Sequence, residues 1–135
     1  MPNFISSLKN LIKKEKHKKQ LNDNEIHNKI GQLLFNIAPN NSKKVILQAE
    51  FVPEGDVCTF IYNYIDINNN SGWFENESAQ ASSQLMDYLI ELKQFTLNNN
   101  LTNNHPIWVG CIVTVDIEKL KINIEFKYEP FIDEE

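Results

Sequence analysis

Residues 120–128 alternate almost without a break: Leu120, Ile122, Ile124, Phe126 and Tyr128 fall on one side, and Lys121, Asn123, Glu125 and Lys127 on the other. A period of two is the signature of a strand with one buried and one wetted face. Residues 108–115 repeat the pattern, with Val109, Cys111, Val113 and Val115 set against Trp108, Gly110, Ile112 and Thr114, and residues 116–119 form a tight turn between the two runs. Strands this close in sequence pair as an antiparallel hairpin. Their common apolar face has to be covered, so the rest of the chain must supply the other layer.

The preceding residues supply it. Ile26, Ile30, Leu33, Leu34 and Ile37 recur at helical spacing until Pro39, and Asn22-Asp23-Asn24-Glu25 places an Asn N-cap three residues before a Glu. Residues 44–51 then turn to period two, with Val45, Leu47, Ala49 and Phe51 opposed to Lys44, Gln48 and Glu50. Pro53-Glu54-Gly55-Asp56 reads as the turn into a second strand over residues 57–67. That strand carries Val57, Thr59, Ile61 and Ile65 on one face and Cys58, Phe60, Tyr62 and Tyr64 on the other, so its second face needs a cover or a partner. After the turn Asn68-Asn69-Asn70-Ser71-Gly72, Trp73-Phe74-Glu75 is a short third strand. Residues 78–97 are helical, with Leu85, Tyr88, Leu89, Leu92 and Phe95 on one face, and they end in Asn98-Asn99-Asn100. The chain holds 19 Asn, whose runs fall at linkers and caps.

Residues 2–19 gather Phe4, Ile5, Leu8, Leu11 and Ile12 within about 120° of a helical wheel, with Lys9, Lys13 and Lys16 opposite. This basic amphipathic helix reads either as a membrane-surface or partner-docking segment or as an extra helix covering the domain. The expected fold is therefore α+β: a mainly antiparallel sheet built from two hairpins in helix-hairpin-helix-hairpin order, helices packed on one face, and an extra N-terminal helix. The division is a basic extension over residues 1–21 and one domain over residues 22–135. A chain of 135 residues is long enough for one such core.

Charge narrows the function. Thirteen Lys and no Arg stand against 18 acids, and the signs separate: residues 1–29 hold seven Lys and three acids, residues 30–135 six Lys and fifteen acids. An acidic body without Arg repels phosphate backbones, which argues against direct nucleic-acid binding and for a basic protein partner. Moderate negative charge also simply keeps a small protein soluble. The longest apolar run, residues 107–115, is strand-sized, so no transmembrane segment is expected. The start of the chain lacks the charge and continuous apolar run of a secretory signal, and Cys58 and Cys111 lie in strand-like runs as reduced packing residues. The expected compartment is the cytoplasm.

The residues offer little to catalysis. His17, His27 and His105 lie in separate segments, without a His-x-x-x-His pair or a Cys-x-x-Cys, so no metal is expected. Four glycines are too few and scattered for a phosphate-cradling loop. The pairs Glu75 with Glu77 and Asp116 with Glu118 stand beside turns, where acids serve solubility. No cofactor and no enzymatic activity are expected. A binding module remains, with an acidic and aromatic surface drawn from Glu50, Asp56, Tyr62, Tyr64, Asp66, Trp73, Phe74, Glu75 and Glu77. The alternative for the aromatic residues is that they pack beneath the helices.

The chain resembles the YezG-like immunity proteins, which protect bacteria from secreted or contact-delivered toxins. The resemblance lies in Ile37-Ala38-Pro39 closing a helix, Lys44-Val45-Ile46-Leu47-Gln48-Ala49-Glu50 as a first strand, Trp108 at the head of the penultimate strand, and the ending Lys121-Ile122-Asn123-Ile124-Glu125-Phe126-Lys127-Tyr128-Glu129. It covers residues 26–132. It implies an inhibitor that binds the C-terminal domain of a cognate toxin, basic, often a nuclease, and one to one. Carboxylates of the acidic body can occupy the places where phosphates bind in such a toxin. Two departures from the family pattern are the basic segment 1–21 and the lack of a longer C-terminal tail, so contacts made by such a tail are not carried over. A small acidic α+β chain also suits a secretion chaperone that binds an unfolded effector segment, which requires a dimer and apolar grooves.

Overall fold

The computed structural model describes residues 22–52 and 57–132. The expected helix over residues 2–19, the turn at residues 53–56 and Asp56 lie outside the described residues. The elements are α1 (Asp23–Ile37), β1 (Ser42–Phe51), β2 (Cys58–Asp66), β3 (Ser71–Phe74), α2 (Ala79–Asn98), β4 (Gly110–Asp116) and β5 (Lys121–Lys127). They form an α+β fold: a five-stranded antiparallel sheet in the order β3-β2-β1-β4-β5, with two helices.

Local chemistry sets the helix ends. The Asn22 side chain accepts from the Glu25 backbone N–H at 2.8 Å while Glu25 accepts from the Asn22 N–H at 3.2 Å, a reciprocal capping box. At the far end Ala38, placed before Pro39, takes extended angles of φ −60° and ψ 139°, as the proline ring demands of its predecessor. Ser78 caps α2 by accepting from the Ala81 N–H at 3.0 Å. Asparagine also has a backbone use here. Asn41, Asn69, Asn100, Asn103 and Asn104 all take φ between 51° and 67°, the left-handed region that asparagine tolerates better than most side chains.

β1 is the middle strand, and its register fixes both neighbours. Leu47 stands opposite Tyr62 on β2 and Val113 on β4, and Ala49 opposite Phe60 and Cys111. The face holding Val45, Leu47, Ala49, Cys111, Val113 and Val115 is buried against Ile26, Ile30, Leu33 and Leu34 of α1 and Leu85, Leu89 and Leu92 of α2. Burial of each such aliphatic side chain stabilises the fold by roughly 1.5–3 kcal/mol. Gly31 permits α1 to lie close on β5, since a Cβ there would stand 3.1 Å from Ile122 Cδ1.

Two residues expected to face inward do not. Leu120 is 75% exposed and Tyr128 60% exposed, because β5 spans only Lys121–Lys127 and both lie beyond its ends. Leu120 closes the turn with φ 52°.

The second face of the sheet carries Ile46, Ile61, Ile65 and Ile112, all partly exposed, among Gln48, Asn63 and Thr114. One end of it is crossed by the C-terminal segment. Glu50 accepts hydrogen bonds from the backbone N–H groups of Phe131 (2.7 Å) and Ile132 (3.0 Å). Gly110, opposite Glu50 in the ladder, makes room: a Cβ there would meet the Phe131 ring at 2.8 Å and the Ala49 carbonyl oxygen at 2.4 Å.

Candidate protein-binding site

β3 is an edge strand of four residues, hydrogen-bonded only to β2. Its register puts Phe74 opposite Tyr62 and Trp73 opposite Asn63, so alternation sends Phe74 toward the core face and Trp73 to the other. The rings on the core face form a chain: Phe60 to Tyr62 at 6.1 Å, Tyr62 to Phe74 at 5.5 Å and Phe74 to Tyr64 at 6.1 Å between centroids. These are spacings for tilted aromatic contacts. Tyr62 is buried, whereas Trp73 is 69% exposed.

Asn76 locks this ribbon to α2. Its amide nitrogen lies 3.1 Å from the Ser82 hydroxyl and 3.4 Å from that of Tyr62, while its oxygen accepts from the Ser78 N–H at 3.0 Å. The result is a concavity of about 430 Å3 that wraps the end of the β2–β3 ribbon and is lined by Phe60, Ile61, Tyr62, Trp73, Phe74, Glu75 and Asn76.

The structure thus brings Tyr62, Trp73, Phe74 and Glu75 together, with Tyr64 against Phe74 and Glu77 exposed two residues beyond Glu75. It does not bring in the remaining acids as one cluster. Asp66 sits at the other end of β2, where its carboxylate accepts from the Asn68 and Asn70 N–H groups (2.8 and 2.9 Å) and shapes the turn. Glu50 holds the C-terminal segment. Phe60, Ile61 and Asn76 join the site without having been singled out in the sequence. Asn76 precedes the Ser78 cap by two residues, and that spacing was its only local signal.

Among the described residues, no three His, Cys, Asp or Glu side chains gather to hold a metal ion. Burial, with a smaller contribution from Cys58, pushes the Cys111 thiol up to about 12, so it carries no useful thiolate at neutral pH. Among the described residues, no helix is long and apolar enough to cross a membrane. Comparison with protein-family models gives no match, and neither does comparison with curated proteins.

Proposed function

We propose that this chain is an immunity protein of the YezG-like kind, acting in the cytoplasm to bind and neutralise a cognate toxin domain. The observation that carries the reading is Trp73, a large aromatic side chain left 69% exposed on an edge strand, lining one concavity with Glu75 and followed by the exposed Glu77. An exposed aromatic with acids nearby suits an interface centre with a charged rim. The acidic body favours a basic partner, such as a nuclease domain whose cleft receives phosphates. Support also comes from the places taken by the residues that carry the resemblance. Ala38-Pro39 ends α1, residues 44–50 lie in β1, Trp108 stands just ahead of β4, and residues 121–127 are the last strand. The order of a capped helix, three strands, a second helix and a final strand pair fits the same reading.

The test is binding to the C-terminal domain of the toxin encoded immediately upstream. The reading expects a one-to-one complex that abolishes toxicity, and a housekeeping gene at that position counts against it. Concentration-dependent self-association together with capture of an unfolded secretion segment would favour a chaperone instead.

A further inference from the structure

β5 ends the sheet at the edge opposite β3, and among the described residues no strand pairs with its outer side. It is seven residues long, against four for β3. The Val109 N–H donates to the Lys127 carbonyl at 2.8 Å, so Lys127 turns its backbone groups toward β4. Alternation does the same for Lys121, Asn123 and Glu125, which leaves Ile122, Ile124 and Phe126 with N–H and C=O directed at the open edge. A long edge with a row of unpaired backbone groups is a template for another strand. Beside it, α1 and β5 bound a mainly apolar groove of about 300 Å3 whose walls include Gly31, Gln32, Phe35, Leu120 and Ile122. Phe35 is 41% exposed there, and Leu120 more so.

We propose that β5 pairs with β5 of a second copy of this chain, antiparallel about a twofold axis through Asn123, so that one sheet runs through both copies. Charge selects both the occupant and the register. The second face of β5 carries Lys121, Asn123, Glu125 and Lys127, the first three of them exposed. Faces match only if the axis passes through a residue, and axes at Asn123, Ile124 and Glu125 overlap residues 121–125, 121–127 and 123–127 of the strand. An axis at Ile124 sets Lys121 against the partner's Lys127 twice, and one at Glu125 sets two carboxylates face to face. An axis at Asn123 sets Lys121 against the partner's Glu125 twice. Opposite charges directly across a ladder attract and like charges repel, so this register wins. Glu125 already holds Lys127 of its own strand at 2.7 Å and would lie between two ammonium groups. Ile122 then exchanges backbone hydrogen bonds with the partner's Ile124, and the exposed Leu120 comes opposite the partner's Phe126. The two grooves meet beside the axis, where each covers the other and is closed to a secretion client. β3, at the far edge, stays free on both copies, so this inference is independent of the toxin reading and keeps one toxin site per chain.

The test is sedimentation equilibrium of the full chain from micromolar to millimolar concentration, alongside Lys121→Glu, Glu125→Lys and the double reversal. The wild type is expected to dimerise reversibly. Each single reversal sets like charges across the axis twice and is expected to weaken dimerisation about tenfold or more, while the double variant, with opposite charges restored, recovers it. Both side chains are exposed, so unchanged thermal unfolding shows that the variants fold. In the wild type, hydrogen exchange at the Ile122 and Ile124 amides is expected to slow as the dimer forms. A monomer at every concentration, or a dimer indifferent to the single reversals, overturns the proposal. A tighter dimer of Lys121→Glu also overturns it, because that residue then faces the partner's Lys127. So does a monomeric full chain that dimerises only after deletion of residues 1–20, since the basic segment is then the occupant of the edge.

Discussion

Glu50 and Phe131, 81 residues apart in the chain, are joined by a 2.7 Å hydrogen bond from the Phe131 backbone N–H to the Glu50 carboxylate, which accepts a second from Ile132 at 3.0 Å. The carboxylate is therefore a fastening for the C-terminal segment on the second face of the sheet. Replacing it by alanine leaves both donors without their acceptor and is expected to cost about 1–3 kcal/mol, whereas Glu50→Gln, which keeps one oxygen, costs less. Urea denaturation of the two variants measures the difference. A charge reversal at Glu50 is informative about a partner only if its stability is measured alongside its association rate.

The aromatic residues divide by burial. Tyr62→Ala empties a core position and is expected to destabilise the fold by roughly 3–5 kcal/mol. Trp73→Ala leaves the thermal midpoint nearly unchanged because the ring is 69% exposed. If the toxin reading holds, Trp73→Ala nonetheless weakens binding by about 2 kcal/mol or more, mostly through faster dissociation. Differential scanning calorimetry and surface plasmon resonance on the same preparations separate the two effects.

Much of this fold was legible from local pattern. Asn22 and Glu25 marked the start of α1, Pro39 its end, and the alternation gave the correct buried faces of β1 over residues 44–51 and of β4 over residues 111–115, whereas Trp108, set opposite Val109 by the same alternation, lies in the core just ahead of β4. What escaped depended on contacts distant in sequence. Nothing near Glu50 reveals that it meets residue 131, and nothing near Gly110 reveals that a ring needs the space of its missing side chain. Tyr62 and Trp73 looked alike as aromatic residues near acids. Their fates parted when pairing of Tyr62 with Phe74 placed those two on the core face and Trp73 on the other. The Asn bias, too, acquires meaning only with the backbone, where five asparagines hold left-handed turns.

The capping box makes α1 self-starting. Asn22→Ala is expected to cost about 0.5–2 kcal/mol, and deletion of residues 1–20 is expected to preserve cooperative unfolding because both cap residues stay in place. A truncated chain that is insoluble or melts without a transition would show that the deleted segment belongs to the core.

Alkaline stability reports on Cys111. Its folded pKa is raised from 9.0 to about 12, so the folded state holds the proton more tightly than the unfolded state does. The stabilising contribution is complete below pH 9 and is lost as pH rises toward 12, at up to about 1.4 kcal/mol per pH unit. A Cys111→Ala variant should show a flatter decline over that range in urea titrations. His27, whose pKa is lowered, acts at the other end: the unfolded chain takes up its proton first, so stability falls as pH drops below 6.5.

Electrostatic steering predicts that capture of a basic toxin domain slows as salt rises, and that Glu75→Lys combined with Glu77→Lys lowers the association rate and its salt dependence. Stopped-flow association from low to physiological ionic strength measures both. Salt-independent capture by the wild-type chain removes the acidic rim from the account.

The most direct measurement is isothermal titration of the toxin's C-terminal domain into the wild-type chain and into Trp73→Ala. One-to-one binding to the wild type is expected, with an affinity at least about thirtyfold lower for the equally folded variant. The absence of binding contradicts the proposed function, and equal affinities for the two chains contradict its placement at the β3 edge.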